Sequence, residues 1–98
     1  MIVKVHSTPN GKLFAICDSD ILGRVFEEKG RQLDLSSRFY QGEEMPEHEL
    51  GKLLKDCYVI NAVGKKSVAF LVRLKLIDDK NVMTIDNIPY AQCAISPL

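Results

Sequence analysis

The stretch from Tyr58 to Val68, reading YVINAVGKKSV, constrains the fold more than any other part of the chain. Tyr58 to Val63 is a short apolar, β-favouring run, which reads as a buried strand. Gly64 interrupts it, and from Lys65 to Ile77 the apolar residues recur with a helical period. A strand that feeds through a tight turn into a helix is the building unit of sheets covered by helices. It is also where such folds place ligands, at the carboxyl end of the strand.

The rest of the chain must fit around that unit. With 98 residues, one hydrophobic core is expected and a single domain spanning 1–98, burying roughly two-thirds of the surface its unfolded chain exposes. A hydrophobic fraction of 46% beside 27% charged residues is ordinary globular composition. Thirteen basic residues balance thirteen acidic ones, so no net field draws the molecule to nucleic acid or to an anionic membrane. Any such affinity must come from a local patch. No apolar run approaches the ~20 residues of a membrane span, and the amino terminus lacks the pattern of a secretory leader. Cys17, Cys57 and Cys93 are odd in number and far apart, as suits reduced thiols rather than a disulfide framework. A cytoplasmic protein without membrane contact, monomeric or a small homo-oligomer, is expected. No spacing among the cysteines, His6 and His48 matches a structural zinc site, and no motif asks for a cofactor.

Local signals then set the order of elements. Ile2 to His6 and Leu13 to Cys17 flank a Pro9-Asn10-Gly11 turn and predict a hairpin. Asp18-Ser19-Asp20 offers N-capping side chains ahead of Ile21, Leu22, Val25 and Phe26, whose spacing predicts a short helix ending at Gly30. Arg31 to Ser36 alternates like a half-buried strand. Pro46 opens the next helix, with Leu50, Leu53, Leu54 and Cys57 as its apolar stripe. After the helix from Lys65, a turn at Asp78–Asn81 precedes a strand at Val82–Ile85, and Asp86-Asn87 turns the chain into Ile88–Cys93, the candidate for a terminal strand beyond the main order of elements. The expected fold is α+β: a mixed sheet of about five strands with an N-terminal hairpin and three helices, in the order β-β-α-β-α-β-α-β.

Three groups of residues invite a chemical reading. Gly64-Lys65-Lys66-Ser67 is superficially like a phosphate-binding loop, but the first glycine of that loop would fall at Val59, which excludes a nucleotide hydrolase. A weaker signal survives: Lys65 and Lys66 stand where the helix dipole disfavours cations, which points to an anionic partner at that end. The plain alternative is that Asn61 and Gly64 shape the turn and both lysines are solvated. Arg38-Phe39-Tyr40 joins a cation to stacking surfaces, as in a single-stranded nucleic-acid platform or a protein-docking loop, although Glu43, Glu44, Glu47 and Glu49 follow it closely. Cys17 precedes a helix start and would become a nucleophile if the hairpin set His6 beside it; a buried inert thiol is the competing reading.

Taken in order, Cys17-Asp18, Ile21-Leu22-Gly23 with Phe26-Glu27-Glu28, Phe39-Tyr40-Gln41-Gly42-Glu43-Glu44, Asn61-Ala62-Val63-Gly64 with Ser67-Val68, and Ile88-Pro89-Tyr90-Ala91-Gln92 resemble the archaeal domain-of-unknown-function 424 family over nearly the whole chain. The chain departs from that pattern at Ile60, where the family has alanine, and at Tyr90, where it has histidine, which counts against a mechanism needing a histidine there. The resemblance implies an archaeal cytoplasmic protein and supplies positions rather than chemistry: Asn61, Gly64, Ser67, Pro89, Ala91, Gln92 and the Phe39 to Gly42 loop. If the last strand lies beside Tyr58–Val63, Gln92 and Asn61 meet at one end of the sheet. The leading expectation is a noncatalytic module binding an anionic or polar ligand, RNA or a translation component among them, through Asn61, Gly64, Lys65, Lys66, Ser67 and Gln92. A small enzyme using Cys17 and an adaptor docking through Arg38, Phe39 and Tyr40 are the alternatives.

Overall fold

The computed structural model describes residues 1–95. The predicted N-terminal hairpin forms: β1 (Ile2–Thr8) and β2 (Gly11–Cys17) run antiparallel, with Thr8 Oγ1 accepting from the Asn10 amide and donating to the Gly11 carbonyl across the turn. A two-residue turn lies near the other end of the chain, where Asp86 and Asn87, with φ of 50° and 64°, join β7 (Met83–Ile85) to β8 (Ile88–Ala94). Two successive left-handed residues match the twist of the strands they link.

The central strand is β6 (Cys57–Val63). It lies parallel to β2 on one side and antiparallel to β8 on the other, and the six-stranded sheet runs β5-β1-β2-β6-β8-β7, where β5 (Glu43–Glu44) pairs only with Ile2 and Val3. Side chains alternate across it. Val3, Phe14, Ile16, Ile60 and Ala62 face α1 (Glu47–Leu53) and α2 (Lys65–Arg73), meeting Leu50, Val68 and Leu71 in one core cluster. Cys17 and Val63 point to the opposite face and pack with Ile21, Phe26, Leu35 and Ile85.

The α+β class with a mixed sheet and an N-terminal hairpin is observed, and the helix count differs. The helix expected from Ile21 to Gly30 is absent. A single 3-10 turn at Ser19–Ile21 gives way to β3 (Val25–Glu28), which pairs with β4 (Arg31–Asp34) as a separate hairpin capping the second face. Gly23 at φ 89° stops any helix there, and Lys29 and Gly30 at 50° and 82° form the hairpin turn. Val25 and Phe26 favour strands, and pairing Phe26 with Leu33 puts both on the core side. Among the described residues two α-helices therefore stand where three were expected.

The other two helices form but stop early. After α1, a 3-10 turn at Leu54–Asp56 carries the chain into β6; Leu50, Leu54 and Cys57 are buried as the stripe requires, whereas Leu53 is 39% exposed. In α2, Lys75 takes φ 61°, its amide bonds to the Val72 carbonyl, and the Leu76 amide reaches back to Leu71. Those paired bonds satisfy carbonyls the helix would leave open, and they end it four residues before the expected Ile77.

Candidate functional site

The residues singled out in the sequence occupy two places. The first is the start of α2, where the chain supplies its own anion. Asp18, at the end of β2, is 6% exposed and spans the first turn: Oδ2 accepts from the Lys66 amide at 3.0 Å, and Oδ1 accepts from the Ser67 amide at 2.8 Å and from Ser67 Oγ at 2.7 Å. A carboxylate on the free amides of a helix N-terminus is favoured both by hydrogen bonding and by the dipole. The parallel pairing of β2 and β6 places it there, since both strands end at the same edge and the Asp18 amide bonds to the Val63 carbonyl.

This cap explains the neighbouring residues. Gly64 has φ 108°, and a Cβ at that position would stand 2.3 Å from Asp18 Cγ, so only glycine allows the carboxylate so close. Ser67 is fully buried by its bond to the same oxygen. Lys65 and Lys66 are exposed and lie between two clefts, of about 400 Å³ on the side of Met1, Met45 and Arg73 and about 290 Å³ on the side of Asp20, Arg24 and Ile88. Acidic groups share that corner. Glu44 accepts from Ser19 Oγ and lies 3.5 Å from the amino terminus, which hold its carboxyl below the usual range, and Glu47 pairs with Arg73.

Asn61 and Gln92 form the second place, on the face of the sheet opposite the two α-helices. They are register partners on β6 and β8, so the predicted meeting takes place. Register carries the row further: Lys4 opposes Ala15, Ala15 opposes Asn61 and Asn61 opposes Gln92, which sets a cation, a methyl group and two amides in line across four strands. Asn61 is half-buried and Gln92 exposed, and neither side chain hydrogen-bonds to any described residue. They line a cavity of about 90 Å³ with Leu33, Tyr40, Met83 and Tyr90. Tyr90 is held there by Arg31, whose Nη1 donates to its hydroxyl at 3.2 Å. The amide cavity shares no lining residue with the two clefts beside the lysines, so the six residues grouped from sequence divide between opposite sides of the strand end.

The aromatic triplet belongs to the second place. Arg38–Tyr40 is a 3-10 turn capped by Ser37 Oγ, laid against β1 and β2. Phe39 stacks on His6 with ring centroids 4.7 Å apart and its carbonyl meets His6 Nε2 at 3.0 Å, while Tyr40 crosses Phe39 edge-on at 5.0 Å. Burial raises the Tyr40 hydroxyl above its ordinary pKa. Both rings are half-buried, so the triplet is a fixed wall of the sheet face rather than a free arm.

The hairpin does not set His6 beside Cys17. Cys17 opposes Ile2, whereas His6 opposes Leu13, and the thiol is fully buried, with burial and the Asp18 charge pushing it from 9.0 up to about 11. Sequence reasoning missed Asp18 as the cap of α2, Tyr90 beside the amides and Lys4 on their row across the sheet. The alternation Ile2, Lys4, His6 puts Lys4 on a known face, but the strand order that brings it to Asn61 is not written locally.

Comparison with known proteins bears on the fold. The nearly complete chain superposes on the crystal structure of an uncharacterized conserved protein from the archaeon Methanopyrus kandleri with a TM-score of 0.79, at 24% identity, covering 99% of this chain and 95% of that one. No curated protein matches the sequence. The family model for a protein of unknown function, DUF424, matches residues 5–95. Asp18, Ser67, Asn61 and Gln92 all fall within the matched residues, and the chain belongs to DUF424.

Proposed function

We propose that this protein is a noncatalytic binding module of the cytoplasm and that its ligand is a polar group received by the Asn61–Gln92 cavity. The observation that carries the reading is the pair of adjacent primary amides, without hydrogen-bond partners among the described residues, at the floor of a cavity walled by Tyr40 and Tyr90. A polar group partly withdrawn from water ordinarily finds a partner, so the half-buried Asn61 amide, left open at a cavity beside the exposed Gln92, suits a ligand that completes it. Neither amide titrates in the working range, which suits recognition rather than proton transfer. The lysine corner is the weaker place for an anion, because Asp18 already holds the helix amides and Asp20, Glu44 and Glu47 share the surroundings. Three unpaired thiols fit a reducing compartment.

The test is a thermal-shift screen of polar small molecules and nucleosides against the wild type, an Asn61→Ala/Gln92→Ala variant and a Lys65→Ala/Lys66→Ala variant. A compound that raises the wild-type Tm should leave the amide variant unmoved and still raise that of the lysine variant. The opposite pattern returns the site to the helix corner, and equal shifts in all three proteins remove both.

A further inference from the structure

The walls and floor of the amide cavity differ in kind. Leu33, Met83 and the rings of Tyr40 and Tyr90 offer apolar and aromatic surface, whereas the two amides offer donors and acceptors at the floor. No carboxylate, lysine or arginine lines it. The group that complements such a space is flat and uncharged, apolar on its faces and hydrogen-bonding at its edge, which describes a nucleobase: a primary amide can give and take a hydrogen bond with a base edge in one plane. Charge lies just outside. Lys4 stands on the same row, two strands from Asn61 and so about 9.6 Å away at the usual strand spacing. Arg38 begins the turn whose last residue, Tyr40, walls the cavity. Both cations are exposed, and neither forms an ion pair among the described residues.

We propose, building on the binding reading above, that the cavity, of about 90 Å³, receives the edge of one base of a single-stranded nucleic acid, with Asn61 and Gln92 reading that edge and Lys4 and Arg38 meeting backbone phosphates. A duplex is excluded from this arrangement because its base edges are paired and its rings stacked. The aromatic wall that continues through Tyr40, Phe39 and His6 gives the strand a surface to follow beyond the cavity.

The experiment is fluorescence anisotropy with labelled eight-nucleotide single strands of RNA and DNA, and with a hairpin duplex of matched composition, over a range of salt. Single strands should bind and the duplex should not compete. Asn61→Ala/Gln92→Ala should weaken binding about tenfold with the salt slope unchanged, as loss of base contacts requires. Lys4→Ala should lower the slope of log K against log salt by about 0.7, the value for one phosphate contact on a single strand. Circular dichroism confirms that each variant is folded. Equal affinity of wild type and amide variant, or a duplex that binds as well as the single strand, overturns the proposal. If no oligonucleotide binds, the side-chain NH₂ resonances of Asn61 and Gln92 decide between the two readings. Their movement by an uncharged small molecule of the screen defeats the nucleic acid and keeps the cavity as a polar site, and their indifference to every compound defeats both.

Discussion

Two polar regions flank the end of β6, and they treat their hydrogen bonds in opposite ways. At the start of α2, Asp18 gathers three donors onto one carboxylate and Gly64 gives it room, so the local polarity is closed within the chain. On the sheet face, Asn61 and Gln92 stand side by side with no such partner among the described residues. The lysines made the first region look like the site in the sequence, yet charge alone says nothing about whether a place is already filled. What separates a structural corner from a receptive one is the count of donors and acceptors left over.

That contrast can be broken most forcefully at the cap. Asp18→Ala strands two backbone amides and the buried Ser67 hydroxyl, and a loss of about 3 kcal/mol is expected from urea denaturation, since each unmade bond to a charged group costs on the order of 1–3 kcal/mol. Gly64→Ala should cost about 2 kcal/mol or more through its φ of 108° and the collision with Asp18. Because removing the carboxylate also removes the collision, the double variant should lose less than the two single losses combined, and simple additivity would mean that the close approach carries no energy.

A second test concerns the buried thiols, of which Cys17 adjoins the closed region and Cys57 begins β6 at its other end. Burial raises both Cys17 and Cys57 from 9.0 to about 11, so the fold favours the protonated form. The stability this contributes is complete below about pH 9 and is lost as pH climbs through about 11, and a Cys17→Ser/Cys57→Ser variant should show a flatter profile over that window in denaturation curves. A profile as steep as the wild type would assign the alkaline loss to other groups.

The smallest effects belong to the open region and to the lysines. Asn61→Ala/Gln92→Ala should change stability by no more than about 0.5 kcal/mol in the same assay, because neither side chain hydrogen-bonds to a described residue. A loss comparable to that of Asp18→Ala would make the amides structural and end the distinction. Lys65→Ala should raise stability by a few tenths of a kcal/mol, about 0.3, since it removes a cation from the positive end of α2.

Much of the fold was legible where local chemistry decides it. Pro9-Asn10-Gly11 announced the first hairpin, the stripe of Leu50, Leu53, Leu54 and Cys57 announced α1 although the helix ends at Leu53, and the break at Gly64 announced the strand-to-helix step. The segment after Cys17 was misread because Ile21, Leu22, Val25 and Phe26 satisfy a helical period, while the hairpin depends on Lys29 adopting a left-handed conformation that lysine does not advertise. Asp18 is the instructive case. Its capping chemistry was recognised and assigned to the nearest following segment, whereas the helix it caps begins across the sheet. The amide pair was legible only as a condition on strand order, because Asn61 and Gln92 meet through β6–β8 pairing and not through any spacing in the sequence.

The link between Asp18 and Ser67 joins positions 49 residues apart, and the parallel seam of β2 with β6 spans a similar distance. Contacts so remote must wait for a long loop to close before they repay its entropy. During synthesis the N-terminal hairpin is complete long before its central neighbour leaves the ribosome, so β2 spends that interval as a bare edge, open to wrong partners. The molecule's most vulnerable moment is therefore set by topology, and it ends when Val63 arrives and Asp18 finds its helix.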